Sequence, residues 1–158
     1  LEFARPSGGT FREIDVNELI KEVLLLLQHR TARLQHRIDL RLTRELPKIS
    51  ADAGNLRQVL MNLLLNAIQH TPVQGRVTLA VRRQEDEALV TVSNSGPPIP
   101  AAALRTLFDR FIRVDQSGEG SGLGLAIAKS IVLAHGGSIV ASSSGQLTEF
   151  VITLPLAD

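Results

Sequence analysis

Residues 55–71, NLRQVLMNLLLNAIQHT, narrow the folds open to this chain more than any other stretch. Read as a helix at about 100° per residue, Leu56, Leu60, Leu63 and Ala67 share a sector of about 60°, which must be buried. Asn55, Gln58, Asn62, Asn66 and Gln69 fall within about 80° on another side. Solvated helix faces carry Lys, Glu and Arg, whereas Asn is a poor helix former. The chain therefore needs an apolar layer under one side of this helix and a hydrogen-bonding partner for the other.

The rest of the chain can supply that layer. With 158 residues and 44% hydrophobic content, it suits one domain with a substantial core. LEFARPSGG, residues 1–9, reads as a linker or cloning remnant, and residues 10–158 as the domain. TFREI has strand character. Asp15 is placed to cap a helix from Val16 to about Leu34, with Glu18 at the reach-back position of a capping box. RIDLRLTREL alternates through Ile38, Leu40 and Leu42 as a half-buried strand, and Pro47 breaks the chain before the amide-striped helix. GRVTLAVRRQ and ALVTVSN flank the charged turn EDE as a hairpin. GPPIPAAAL leads into a short helix, FDRFIRVDQSGEGSG is a loop, and LGLAIAKSIVLAHGG is an apolar helix stopped by glycines. SIVASSSG and TEFVITLPL close as a second hairpin. The order predicts an α+β two-layer sandwich, with a mixed, mainly antiparallel sheet carrying helices on one face.

Charge and composition exclude several functions. A formal net charge of +1 provides no field for nucleic acid or an anionic membrane. Five Phe with no Trp or Tyr leave few stacking platforms for single strands. The absence of cysteine removes disulfides and thiolate metal sites. No apolar run reaches the roughly 20 residues of a membrane span, and no signal peptide is visible.

Three segments carry chemistry. An asparagine amide donates to phosphate oxygens through its NH2 and offers its carbonyl oxygen to Mg2+ without repelling a polyphosphate. The amide stripe therefore suits a Mg-nucleotide; the alternative is a polar face bonded to neighbouring loops. GEGSGLG places glycines at 118, 120, 122 and 124, just before a helix that starts near Leu123. Such a loop lets backbone N–H groups and the helix N-terminus approach an anion. It has neither Walker spacing nor G-x-G-x-x-G after a strand. In VTVSNSGPPIP, Asn94 shares parity with Val90 and Val92 and so points to their buried side. A buried amide needs a partner, and an adenine amino group is one candidate. A turn-capping role beside Pro97–Pro98 is the other.

In this order the segments resemble the ATP-binding domain of histidine kinases. NLLLNA resembles its N box, SNSGPPI its first glycine box, LFDRFIRVD its F box and GSGLGLAIAKSIVLAHGG its second glycine box. The resemblance covers about residues 10–155 and implies the Bergerat ATP-binding fold, shared with gyrase-type and heat-shock-chaperone ATPases. It makes Asn66 the Mg2+ ligand, with Asn62 beside the phosphates of ATP or ADP and His70 near the adenine. Asn94, Gly96 and Ile99 join the nucleotide-binding set from the first glycine box. Gly120, Ser121, Gly122, Leu123, Gly124 and Leu125 join it from the second. Phe108 and Phe111 would anchor a lid at about residues 113–121. Arg110 or Arg113 would neutralise the γ-phosphate, unless they are ordinary surface charge.

The chain departs from the family at three positions. Gln69 stands where many members have Lys, Asn94 where most have Asp, and Pro98 where most have a second Gly. Asn94 with GEGSGLGLAIAKSIV is similar to the heavy-metal-responsive branch of sensor kinases. The resemblance implies a cytoplasmic domain of an inner-membrane sensor protein. It would pass the γ-phosphoryl of ATP to a histidine on a separate dimerisation and phosphotransfer domain, which in turn serves a response regulator. Neither nucleic acid nor direct membrane contact is expected. Two alternatives stay open: an ATP hydrolase of the same fold, and a degenerate domain using nucleotide as a regulatory ligand. The hydrolases carry Glu four residues before the metal-binding Asn, where this chain has Asn62. His29, His36 and His135 read as surface or capping residues. No histidine in this chain precedes an acidic residue, as the family's phospho-acceptor does.

Overall fold

The leucine face of residues 55–71 meets a sheet, as its periodicity requires. The computed structural model describes residues 10–109 and 124–157. Its elements are β1 (Arg12–Ile14), α1 (Val16–Leu26), α2 (Gln28–Arg33), β2 (Arg37–Leu42), β3 (Ile49–Ala51) and α3 (Ala53–His70). They continue with β4 (Arg76–Gln84), β5 (Glu87–Ser95), α4 (Ala101–Arg105), α5 (Gly124–Ala134), β6 (Ser138–Ser144) and β7 (Leu147–Pro155). Residues 1–9, read as a linker, lie outside the described residues.

A five-stranded sheet runs β2-β4-β5-β7-β6, with β2 parallel to β4 and every other pair antiparallel. Register aligns Leu79, Val92 and Phe150 in one row and Val81, Val90 and Ile152 in the next. All six are buried and face the helices, whereas Ala80, Thr91 and Val151 on the other face are only half-buried. Helix α3 packs on β5 and α5 on β6, with α3 lying between α1 and α5. This is the expected α+β two-layer sandwich. Leu56, Leu60, Leu63 and Ala67 are all buried in its core.

Four local expectations change. The helix expected over residues 16–34 is two helices, broken at buried Leu27, where φ is −103° and ψ is 4°. No residue of α2 is buried, so nothing holds it on the axis of α1. Asp15 caps α1 by accepting from Glu18 N at 3.2 Å, but the Glu18 carboxylate pairs with Lys21 instead of reaching back. Leu40 is 44% exposed, because β2 is an edge strand.

The fourth is β3, which was not anticipated. It pairs antiparallel with β1, setting Arg12 opposite Ala51 and Ile14 opposite Ile49. This small sheet delivers the chain to Asp52, whose carboxylate accepts from Asn55 N at 3.0 Å and caps α3. After α5, Gly137 lets the chain turn against β7. A methyl group there would stand 2.1 Å from the Thr153 carbonyl oxygen, so no larger residue fits.

The fully buried position of Leu63 generates a stability prediction. Leu63→Ala should cost about 2–5 kcal/mol, read as a lower denaturation midpoint in urea. An unchanged midpoint would show that the leucine face is not the core face.

Candidate functional site

Two elements meet α3 near its amides: α5 at Asn62 and the end of β5 at His70. Asn62 Nδ2 donates to the carbonyl oxygen of Gly124, the first residue of α5, at 3.0 Å. This bond orients the amide: its NH2 is held by the backbone and its Oδ1 is turned the other way. Asn66, one turn on, is half-buried, and its backbone carbonyl accepts from His70 Nδ1 at 2.8 Å. A carbonyl only accepts, so that bond places a ring proton on Nδ1.

The amide stripe is not one uniform surface. Gln58 and Gln69 are exposed, Asn62 and Asn66 are half-buried, and Asn55 is buried. Asn55 Nδ2 has no partner among the described residues. Its place inside the fold, two turns before Asn62, removes it from any ligand face.

The end of β5 supplies the second wall. Asn94 is buried, and its Nδ2 donates to Ser95 O at 3.1 Å. The donor side of this amide thus has the local partner that the turn-capping reading expected. Its Oδ1 is the side that can accept from a ligand amino group. Gly96 follows at φ +143°, in the region that favours glycine. A methyl group on it would meet the His70 carbonyl oxygen at 2.9 Å and Pro72 Cδ at 3.2 Å. Only glycine lets the strand end come this close to the end of α3.

Register places Asn94 beside Thr148 and Thr148 beside Ser143. Thr148 is buried, and its Oγ1 lies 2.8 Å from Ser143 Oγ. Ser143 Oγ also accepts from Ile99 N at 2.8 Å, which pins the Pro-rich turn onto β6. Neither Thr148 nor Ser143 is among the candidates that the sequence motifs single out. A signal existed for the first: in TEFVITL, Thr148 shares parity with the buried Phe150, Ile152 and Leu154.

Phe108 is half-buried and meets Phe150 edge-to-face at 6.0 Å between centroids, with Lys129 Nζ 5.5 Å from its own ring centre. Ile99 and Leu125 pack partly buried against the core. Arg110, Phe111, Arg113, Gly120, Ser121, Gly122 and Leu123 lie outside the described residues.

Of the histidines read as surface or capping, His29 is exposed as expected. His36 is half-buried, and its Nε2 donates to Thr71 O, at the C-cap of α3, over 3.1 Å. His135 keeps the capping role, donating from Nδ1 to Ile131 O in the last turn of α5, but not the surface position. It is buried and bonded on both ring nitrogens, because the glycine stop folds it back against the start of α3.

The donor set limits what metal could bind. Among the described residues no cluster of three or more His, Cys, Asp or Glu side chains exists to cage an ion. A half-buried asparagine oxygen suits Mg2+ that takes most of its ligands from phosphates and water. The residues fit a metal that arrives with a nucleotide.

The family model for histidine kinase-, DNA gyrase B- and HSP90-like ATPases matches residues 51–158. The adaptive-response sensory kinase SasA of Synechococcus elongatus is 38% identical over 164 residues, covering 99% of this chain and 42% of that protein. Sensor histidine kinase CusS of Escherichia coli K12 is 43% identical over 122 residues, covering 75% of this chain and 25% of that one. The chain thus spans less than half of these relatives. The nucleotide-free catalytic domain of histidine kinase ThkA superposes with a TM-score of 0.86 at 29% identity, covering 93% of this chain and 96% of that domain. ThkA is also solved in complex with response regulator protein TrrA, where the TM-score is 0.81.

Proposed function

We propose that this chain, which belongs to the histidine kinase-, DNA gyrase B- and HSP90-like ATPase family, is the Mg-ATP-binding catalytic domain of a two-component sensor histidine kinase. It would donate the γ-phosphoryl of ATP to a histidine on a separate dimerisation domain, and that domain would pass it to a response regulator. The observation that carries this reading is the bond from Asn62 to Gly124. It sets the amide side of α3 against the first turn of α5, where the glycine-rich loop enters, so amides and loop can share one polyphosphate.

Each residue then has a task. Asn94 Oδ1 accepts from the adenine amino group, with Thr148 beside it on the buried row and His70 and Gly96 closing the same end. Asn66 offers its amide oxygen to Mg2+, and Asn62 lies beside the phosphates. Bound Mg2+ would draw charge off the β- and γ-phosphate oxygens. In the transfer, a histidine nitrogen of the partner domain attacks the γ-phosphorus with its lone pair. The bond from that phosphorus to the β–γ bridging oxygen breaks, and ADP leaves with the electrons. Such a reaction needs positioning and charge neutralisation more than base chemistry. Arg110 and Arg113, together with Gly120, Ser121, Gly122 and Leu123, belong to this proposal on the sequence resemblance alone.

Asn62 also argues against hydrolysis. It stands where hydrolases of the fold carry a water-activating glutamate, and an amide cannot take a proton at neutral pH. We place the domain on the cytoplasmic side of its parent sensor. No helix among the described residues is long and apolar enough to cross a membrane.

Titration with Mg-ATP tests the reading. At about 100-fold excess over Kd, nucleotide should add about 2.7 kcal/mol of stability, and a melting temperature unmoved by millimolar Mg-ATP would reject it. Asn66→Ala should remove the Mg-dependent part of binding and keep the fold, because this half-buried side chain is outside the core. Unfolding of that variant would mean its face has been misread.

Asn94→Asp should tighten adenine nucleotide binding modestly, since a charged acceptor bonds an amino group more strongly than a neutral one. GTP, with a carbonyl in place of that amino group, should bind poorly to both forms. Equal affinity for ATP and GTP would take Asn94 out of the base site.

A further inference from the structure

A second hydrogen bond joins α3 to α5 at the end far from the proposed nucleotide. His135, just past α5, is buried, and its Nε2 lies 3.1 Å from the backbone N of Asp52, the N-cap of α3. Its Nδ1 lies 2.8 Å from the carbonyl oxygen of Ile131. The N–H of Asp52 can only donate and the carbonyl can only accept. The ring must therefore be neutral, with its proton on Nδ1 and Nε2 bare. Phe11 covers it, stacked at 4.6 Å between centroids and 25° between planes. The Asp52 carboxylate is turned to its own helix, where it accepts from Asn55 N.

The two bonds are evenly matched along the helices. Asp52 meets His135 and Asn62 meets Gly124, so ten positions of α3 (52 to 62) run antiparallel to eleven of α5 (135 to 124). At 1.5 Å per residue the bonds stand about 15 Å apart. Two rigid helices tied at both ends cannot slide past one another without breaking a tie. A slide of even a fraction of a turn would carry Asn62 off the Gly124 carbonyl and move Asn66 with it.

We infer that His135 is a positioning residue, which sets the axial register of α3 against α5 and so holds Asn62, and with it Asn66, at the start of α5. It touches no substrate and acts through Asp52 and the length of α3. This rests on the reading of α3 and α5 as the nucleotide-holding pair, but the register itself can be measured without nucleotide.

The test uses 15N-labelled protein. Long-range imidazole correlations should show His135 protonated at Nδ1 and bare at Nε2; a ring protonated at Nε2 overturns the inference. His135→Phe keeps a ring under Phe11 and loses both bonds. It should shift the side-chain amide resonances of Asn62 and weaken Mg-ATP binding about five- to tenfold. His135→Gln, whose Oε1 reaches the Asp52 N–H, should recover most of both effects. Should His135→Phe not fold, His135→Asn, too short to reach Asp52, takes its place. Val132→Ala, a buried change elsewhere on α5, controls for general destabilisation: it should lower Tm and leave the Asn62 signals and the affinity unmoved. An unmoved Asn62 amide in the broken variant, or equal loss of affinity in Val132→Ala, overturns the inference. If the Asn62 signals follow the His135 series but the wild type fails to bind Mg-ATP, the register role stands and the nucleotide reading falls.

Discussion

The structure depends on one helix whose leucine side is buried in the core and whose amide side is left only partly covered. Along one side of α3, Leu56, Leu60 and Leu63 are at most 2% exposed against the sheet and its neighbours. Each such side chain contributes on the order of 1.5–3 kcal/mol by leaving water, so this face fixes where the helix lies. The amide side is then not free to choose its surroundings. Asn62 and Asn66 are presented in one place by a rigid element, which supports a ligand more accurately than a loop could. The cost appears at Asn55, a buried amide on the same helix whose Nδ2 goes unpartnered among the described residues.

Everything else in the site is arranged around that helix. Its N-terminus is capped by Asp52, which the small β1–β3 sheet delivers. Its C-terminus is closed by the approach of Gly96 to the His70 carbonyl and by the bond from His36 to Thr71. Helix α5 lies antiparallel along it and is tied to it near both ends. The sheet adds the row Asn94, Thr148 and Ser143.

Patterns with a short period were legible in the sequence. The 3.6-residue repeat of leucines in α3, the alternation in β4, β5 and β7, and the glycine stop after α5 each reflect one local element meeting one core. Gly96 was legible too, through the first glycine box. What the sequence concealed depends on distant partners. The break at Leu27 follows from where burial ends, not from any helix-breaking residue. Strand β3 is three residues long and exists because β1 pairs with it. His135 reads as an ordinary helix-end residue until the fold brings Asp52, 83 positions earlier, against its ring. Thr148 was hidden by being a modest polar residue in a strand otherwise read for its apolar members.

The central claim is that this domain gives a phosphoryl group away instead of spending it on water, since an amide stands where a hydrolase needs a carboxylate. Incubation with γ-labelled ATP measures this most directly. Alone, the chain should neither label itself nor release phosphate quickly. With the parent's dimerisation domain added, acid-labile and base-stable label should appear on that domain. Rapid phosphate release by the chain alone, or stable label on His29, His36, His70 or His135, would contradict the account.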